Sequence, residues 1–214
     1  MKTPQKLLLA IFAALALCVA RPALPSTVGV NLGTGAPPAT LGGFTMTEFG
    51  PDGRPLFTNV STVPAPGGGA VGFSPAADHF RIGMGWATWS NGYTGDVYYS
   101  NGLFSLTMTL PTHTLAFDFY AEPNPFATFT FTAVDSAVVI ASVNGNSGAN
   151  GFGFYLSPLG GSLGPITISS TVDFSVGEFG ICRATPEPFS TLWLALPLAG
   201  IVLFRRFRTE SRIG

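Results

Sequence analysis

The chain has 214 residues, enough for one ordinary domain with peripheral segments, and only 10% of them are charged. Lysine occurs only near the amino terminus, at Lys2 and Lys6. Between residues 26 and 184, three arginines stand against nine acidic residues, a net charge of −6 with histidine neutral. Because phosphate backbones attract clusters of Lys and Arg, this composition excludes nucleic-acid binding as a function.

Residues 1–20 are predicted to be a secretory signal peptide. The two lysines precede a largely apolar run over residues 7–20, which is the order of charge and hydrophobicity in export signals. Cleavage is expected after Ala20, and an uncleaved membrane anchor is the alternative. Removal of this segment leaves Cys182 as the one thiol of the mature chain, so no internal disulfide is expected.

The region 26–183 is predicted to be an all-β domain, an antiparallel β-sandwich of jelly-roll type. Apolar and polar residues alternate along segments such as 103–110, 115–120 and 128–132, and no segment keeps a helical period. Asn-Gly pairs at 91–92 and 101–102 supply turns between these segments. Many short strands at this spacing are typical of sandwiches.

The segment around residue 90 is the predicted glycan-binding site, formed by Trp86, Trp89, Tyr93 and Asp96. Aromatic rings among a few polar groups are the usual lining of a ligand pocket. Two indoles three positions apart face opposite sides of a regular strand, so one is expected at the surface. Trp89, beside the polar Ser90, is the one we expect there. The alternative is that both indoles are core residues.

The sequence contains few residues in arrangements suited to catalysis, and we assign no catalytic residue and no metal ligand. Asp118 and Glu122 are the carboxylates that would form a glycosidase pair. However, Asp118 alternates with phenylalanines, which predicts the polar face of a half-exposed strand. His79 is expected to be a solvated turn residue. A structural calcium ion held by Asp96, Asp118 and Asp173 is the one cofactor considered, without the ligand spacing of a known calcium loop.

Residues 184–208 are predicted to be a sorting and anchoring segment. An apolar run over residues 189–204 would span about 24 Å as a helix, so flanking arginines must extend towards the membrane surface. Basic residues favour the cytoplasmic side, which places the region 26–183 outside the cytoplasmic membrane. The motif before the run is Pro186-Glu187-Pro188, and the basic cluster after it is Arg205, Arg206 and Arg208.

This order of parts resembles the PEP-CTERM sorting signal of Gram-negative bacteria. The resemblance implies recognition by an exosortase, a membrane cysteine transpeptidase, with cleavage near the tripeptide and delivery to the cell surface or the exopolysaccharide matrix. A plain anchor that is never processed is the alternative. A second resemblance, to a β-sandwich module of exported PEP-CTERM proteins, begins near residue 85 and implies no defined activity. It is carried by residues 85–90, 117–120, 151–154 and 176–181.

The sequence therefore predicts an exported, non-enzymatic surface or matrix protein whose domain binds polysaccharide or a partner protein. Two alternatives stay open. One is a secreted carbohydrate-active enzyme of the glycoside hydrolase kind, and the other is a purely structural envelope protein.

Overall fold

The structure is a computed structural model, and it describes residues 26–158 and 160–184. This part of the chain is all-β and contains no helix, as the alternation predicted. The strands are β1 (Ser26–Gly33), β2 (Thr40–Leu41), β3 (Phe44–Thr45), β4 (Thr47–Glu48), β5 (Thr58–Pro64), β6 (Ala70–Ile82), β7 (Gly85–Trp86), β8 (Asp96–Tyr99), β9 (Ser105–Thr109), β10 (Thr114–Pro123), β11 (Thr128–Val134), β12 (Val138–Asn144), β13 (Asn150–Ser157), β14 (Ile166–Ser169) and β15 (Phe174–Arg183).

Several predicted segments lie outside the described residues. They are the signal peptide (residues 1–20), the tripeptide Pro186-Glu187-Pro188, the apolar run after it and the arginine cluster. In the part of the chain that the structure does describe, there is no helix with the length and hydropathy needed to cross a membrane.

Thirteen strands form one continuous sheet in the order β1-β13-β10-β15-β8-β6-β9-β14-β11-β12, with β4, β5 and β7 attached at its margins. All pairs are antiparallel except the short pair of β6 with β7. The sheet folds over on itself, so that its last strand β12 packs against β1 and β10. Thr27 of β1 donates a hydrogen bond to Asp135, just before β12, at 3.0 Å.

The main core lies inside this fold and is built largely from aromatic side chains of neighbouring strands. Phe119 of β10 stacks on Phe152 of β13 with ring centroids 5.4 Å apart, and Phe131 meets Phe174 edge-on at 5.3 Å. All four rings are fully buried, and each contributes about 1.5–3 kcal/mol by leaving water. Strand β12 alternates strictly between exposed and buried residues, as a half-buried strand should.

Strand β10 departs from this pattern because both of its faces are covered. Its second face packs in a smaller cluster that contains Trp86, Trp89, Val97, Tyr120 and Ala149. Both indoles come from the segment that leads from β7 to β8, so this segment covers the outer face of the sheet. The candidate functional site is formed by this segment and by the strands next to it.

Candidate functional site

The two indoles of the predicted glycan site are buried. Trp86 is 7% exposed and Trp89 is 5% exposed, so the prediction of a surface-exposed Trp89 is wrong. The strand rule behind it does not apply here, because β7 ends at Trp86 and residues 87–89 belong to no strand. Both rings therefore turn inward, onto the covered face of β10.

Each indole donates its N–H to a glutamate. Trp86 Nε1 lies 2.9 Å from Glu122 Oε2, and Trp89 Nε1 lies 2.9 Å from Glu178 Oε2. A buried indole N–H needs an acceptor, and a carboxylate is a strong one. These two acid–indole pairs fasten the segment 86–89 to β10 and β15. The sequence analysis missed them, because the partners are separated by 36 and 89 residues.

Glu122 is fully enclosed and held by several donors. Besides the indole of Trp86, Thr88 Oγ1 lies 3.2 Å and the Gly148 amide 3.1 Å from its Oε1 atom. Burial raises the pKa of Glu122, while these hydrogen bonds act in the opposite direction. Both of its carboxyl oxygens are thus already engaged by donors of the protein.

Glu178 occupies a β-bulge of β15. The register between β10 and β15 shifts by one residue between Asp118 and Tyr120, and Glu178 has a φ of 53°, in the left-handed region that non-glycine residues rarely adopt. Asn91 donates a second hydrogen bond to its carboxyl at 3.2 Å. Burial raises the pKa of Glu178 to about 7. The bulge thus places the carboxyl of Glu178 beside the indole of Trp89 and the amide of Asn91.

Asp118 is the main departure from the sequence prediction. Expected on a polar, half-exposed face, it is fully buried, and neither carboxyl oxygen has a hydrogen-bond partner among the described residues. Its cross-strand neighbours are glycines, Gly153 on β13 and Gly180 on β15. Burial, together with the smaller effect of the nearby Glu178 and Glu48 charges, raises its pKa from the ordinary value of 3.8 to about 7. The prediction failed because alternation cannot reveal that a second layer of chain covers the polar face.

His79 is likewise buried, and the prediction of a solvated turn residue is wrong. It lies within β6, stacked on Tyr98 with ring centroids 5.5 Å apart. Its Nε2 atom is 3.1 Å from Asp96 Oδ1, and its Nδ1 atom is 3.2 Å from the carbonyl oxygen of Pro55. Arg81 forms an ion pair with the same carboxyl at 2.8 Å. Asp96 is therefore engaged by a buried network that joins β6 to β8.

A cleft opens beside this network. Tyr93 and Asp96, two of the four predicted glycan-binding residues, line it together with Glu178, Glu48 and Phe49. Trp89 contacts Tyr93 from the interior, with ring centroids 6.1 Å apart. Trp86 is directed to a different hollow, which it shares with Glu122 and Phe126. The structure thus divides the predicted site into two parts and leaves only its tyrosine and aspartate at the cleft.

The aspartates considered for calcium have different surroundings. Asp96 belongs to the network of His79, whereas Asp173 accepts hydrogen bonds from the hydroxyl of Tyr99 and the amide of Asn124, and Asp118 has no partner among the described residues. Within residues 26–158 and 160–184, no three His, Cys, Asp or Glu side chains converge in a way suited to one metal ion.

Comparison of the sequence with models of known protein families and with curated proteins gave no match.

Proposed function

We propose that this chain is the precursor of an exported surface or matrix protein, sorted through a PEP-CTERM signal by an exosortase. Its jelly-roll-like β-sandwich would bind polysaccharide or a partner protein and perform no catalysis. The order of export signal, domain, tripeptide, apolar run and arginine cluster supports the sorting step.

The observation that carries the proposal is where the last described strand ends. Strand β15 ends at Arg183, whose guanidinium donates to the carbonyl oxygens of Gly68 at 2.6 Å and Thr112 at 3.1 Å. The tripeptide begins only three positions later, at Pro186. Proline favours extended, non-helical backbone, so we expect a protease in the membrane to meet the tripeptide in an extended conformation.

The surroundings of the carboxylates favour binding over catalysis. A glycosidase needs an acid and a base that reach the scissile bond from either side. Asp118 and Glu122 are both fully buried, and Glu122 is occupied by its donors. One observation favours the enzymatic alternative, namely that Glu178 combines a pKa near neutrality with a position at a cleft. Replacing Glu178 by Gln would abolish any hydrolysis of a glycan if this alternative is correct.

The sorting step is tested by replacing Pro186, Glu187 and Pro188 with three alanines in a Gram-negative host that has an exosortase. The variant is expected to be exported but retained in the cytoplasmic membrane, whereas the unaltered chain reaches the surface without residues 189–208. The matched control replaces Thr209, Glu210 and Ser211, on the other side of the apolar run, and should be processed normally. Mass spectrometry of surface protein that still contains residues 189–208 would reject the proposal in favour of a plain anchor.

A further inference from the structure

One face of the sheet carries an array of hydroxyl side chains directed away from the core. It belongs to β12, β11, β14, β9 and the first half of β6, which are consecutive in the sheet. We call it the hydroxyl face. Its hydroxyl-bearing residues are Ser74, Ser105, Thr107, Thr109, Thr128, Thr130, Thr132, Ser142, Thr167 and Ser169. The residues between them along each strand, such as Phe131, Leu106, Met108 and Ile168, are buried in the core.

The strand register aligns these hydroxyls in rows across the sheet. Thr132 pairs with Ser169, which pairs with Ser105. In the next row Thr167 pairs with Thr107, which pairs with Ser74. Neighbouring strands lie about 4.8 Å apart, and residues on one face of a strand repeat every ~6.7 Å. The hydroxyl face is therefore a regular lattice rather than a scatter of surface serines and threonines.

The hydroxyl face carries no charge. No outward residue of β12, β11, β14 or β9 is Asp, Glu, Lys or Arg, although the region 26–184 has a net charge of −6. At the corner of the hydroxyl face that belongs to β12, the outward side chains are apolar. Val138 is 59% exposed and Ile140 is 62% exposed. A partner for this surface should accordingly be neutral, rich in hydroxyl groups and partly apolar.

We propose that the hydroxyl face binds a neutral polysaccharide that lies across the strands; this inference rests on the proposed function. A hydroxyl both donates and accepts hydrogen bonds, so the threonine lattice can match sugar hydroxyls in either role. The spacing between strands is comparable to the length of one sugar residue in an extended chain. The apolar corner at Val138 and Ile140 suits the hydrophobic face of a pyranose ring.

A second copy of the chain fits this surface less well than a glycan does. Stable self-association needs a large, well-packed interface with an apolar centre. The apolar part of the hydroxyl face is confined to the corner formed by Val134, Val138 and Ile140, and its centre around Thr107 and Thr167 is polar. In that centre the two threonine hydroxyls already lie 2.8 Å apart, which orders them without occupying all their bonding capacity.

The test is co-sedimentation of the purified chain with insoluble cellulose, chitin and curdlan, which are neutral, and affinity electrophoresis in alginate, which is anionic. The unaltered chain is expected to bind at least one neutral polysaccharide and not alginate. Thr107→Lys and Thr130→Lys add bulk and charge to the hydroxyl face and should weaken that binding at least tenfold. Thr45→Lys, at an exposed position of β3 away from this face, is the matched control and should bind normally.

Two variants are used so that, if thermal melting shows that one of them does not fold, the other still tests the proposal. The proposal is overturned if no neutral polysaccharide is bound, if both folded variants bind like the unaltered chain, or if alginate is preferred. It is also overturned if the unaltered chain is a dimer that Thr107→Lys converts to a monomer, since the face would then be a self-interface. Rejection of the glycan-binding proposal in any of these ways leaves the sorting experiment on Pro186-Glu187-Pro188 unaffected. Failure of the binding proposal can therefore be distinguished from failure of the sorting proposal.

Discussion

Replacing Asp118 by Asn should change how the free energy of unfolding depends on pH. The folded protein holds this carboxyl at a pKa of about 7, against 3.8 in an unfolded chain, because the side chain is buried without a partner among the described residues. Between these two values the folded state binds more protons than the unfolded state, so stability falls as the pH rises. The group therefore stabilises the fold least above pH 7.

The size of the effect follows from the same shift. From pH 5 to pH 8 the ionisation of Asp118 should cost about 3 kcal/mol of unfolding free energy, since each pKa unit corresponds to about 1.4 kcal/mol. Asn cannot ionise, so Asp118→Asn should lose this part of the pH dependence. The amide also lacks partners, but that cost is equal at both pH values and cancels in the comparison.

The measurement is urea denaturation of the unaltered chain and the variant at pH 5 and pH 8, with linear extrapolation to water. Asp78→Asn, at a partly exposed carboxyl of β6, is the control and should leave the difference between the two pH values unchanged. Glu178 contributes in the same direction in all three proteins, and because its charge helps to raise the pKa of Asp118, the comparison measures the ionisation of Asp118 together with this coupling. Equal losses of stability from pH 5 to pH 8 in Asp118→Asn and in the unaltered chain would refute the assignment of a buried, ionisable carboxyl.

Two further predictions concern the covered face of β10. Trp89→Ala should lower the free energy of unfolding by about 3–5 kcal/mol in thermal or urea melts, as expected for a core indole, and a loss below 1 kcal/mol would mean that the ring is exposed after all. Gly180→Ala should cost about 1–3 kcal/mol, because the new methyl group would overlap the carboxyl of Asp118, which is fully buried. Gly53→Ala is its control, since nothing lies within 4 Å of that position, and equal effects of the two substitutions would contradict the close contact.

The alternation of apolar and polar residues predicted the strands correctly wherever one face of a strand packs on the core and the other is exposed to water. The alternation at residues 128–132 predicted β11, and the Asn-Gly pair at 101–102 predicted the turn before β9; Asn101 indeed has a positive φ of 55°. The same alternation misled at Asp118, because a period of two reports the two faces of a strand and says nothing of what covers each face. At Trp89 the error came from extending strand geometry beyond β7, which has only two residues.

The sequence by itself determined the all-β class, the acidic and lysine-free character of the region 26–184, and the order of segments on which the sorting proposal depends, because these follow from composition and short-range periodicity. Only the tertiary structure decided which polar residues are enclosed. His79, Asp118 and Glu122 are buried because distant segments close over them, and the acid–indole pairs join residues 36 and 89 positions apart. The hydroxyl face also required the register, since rows across a sheet depend on which strands are neighbours, a choice made by the packing of the whole chain.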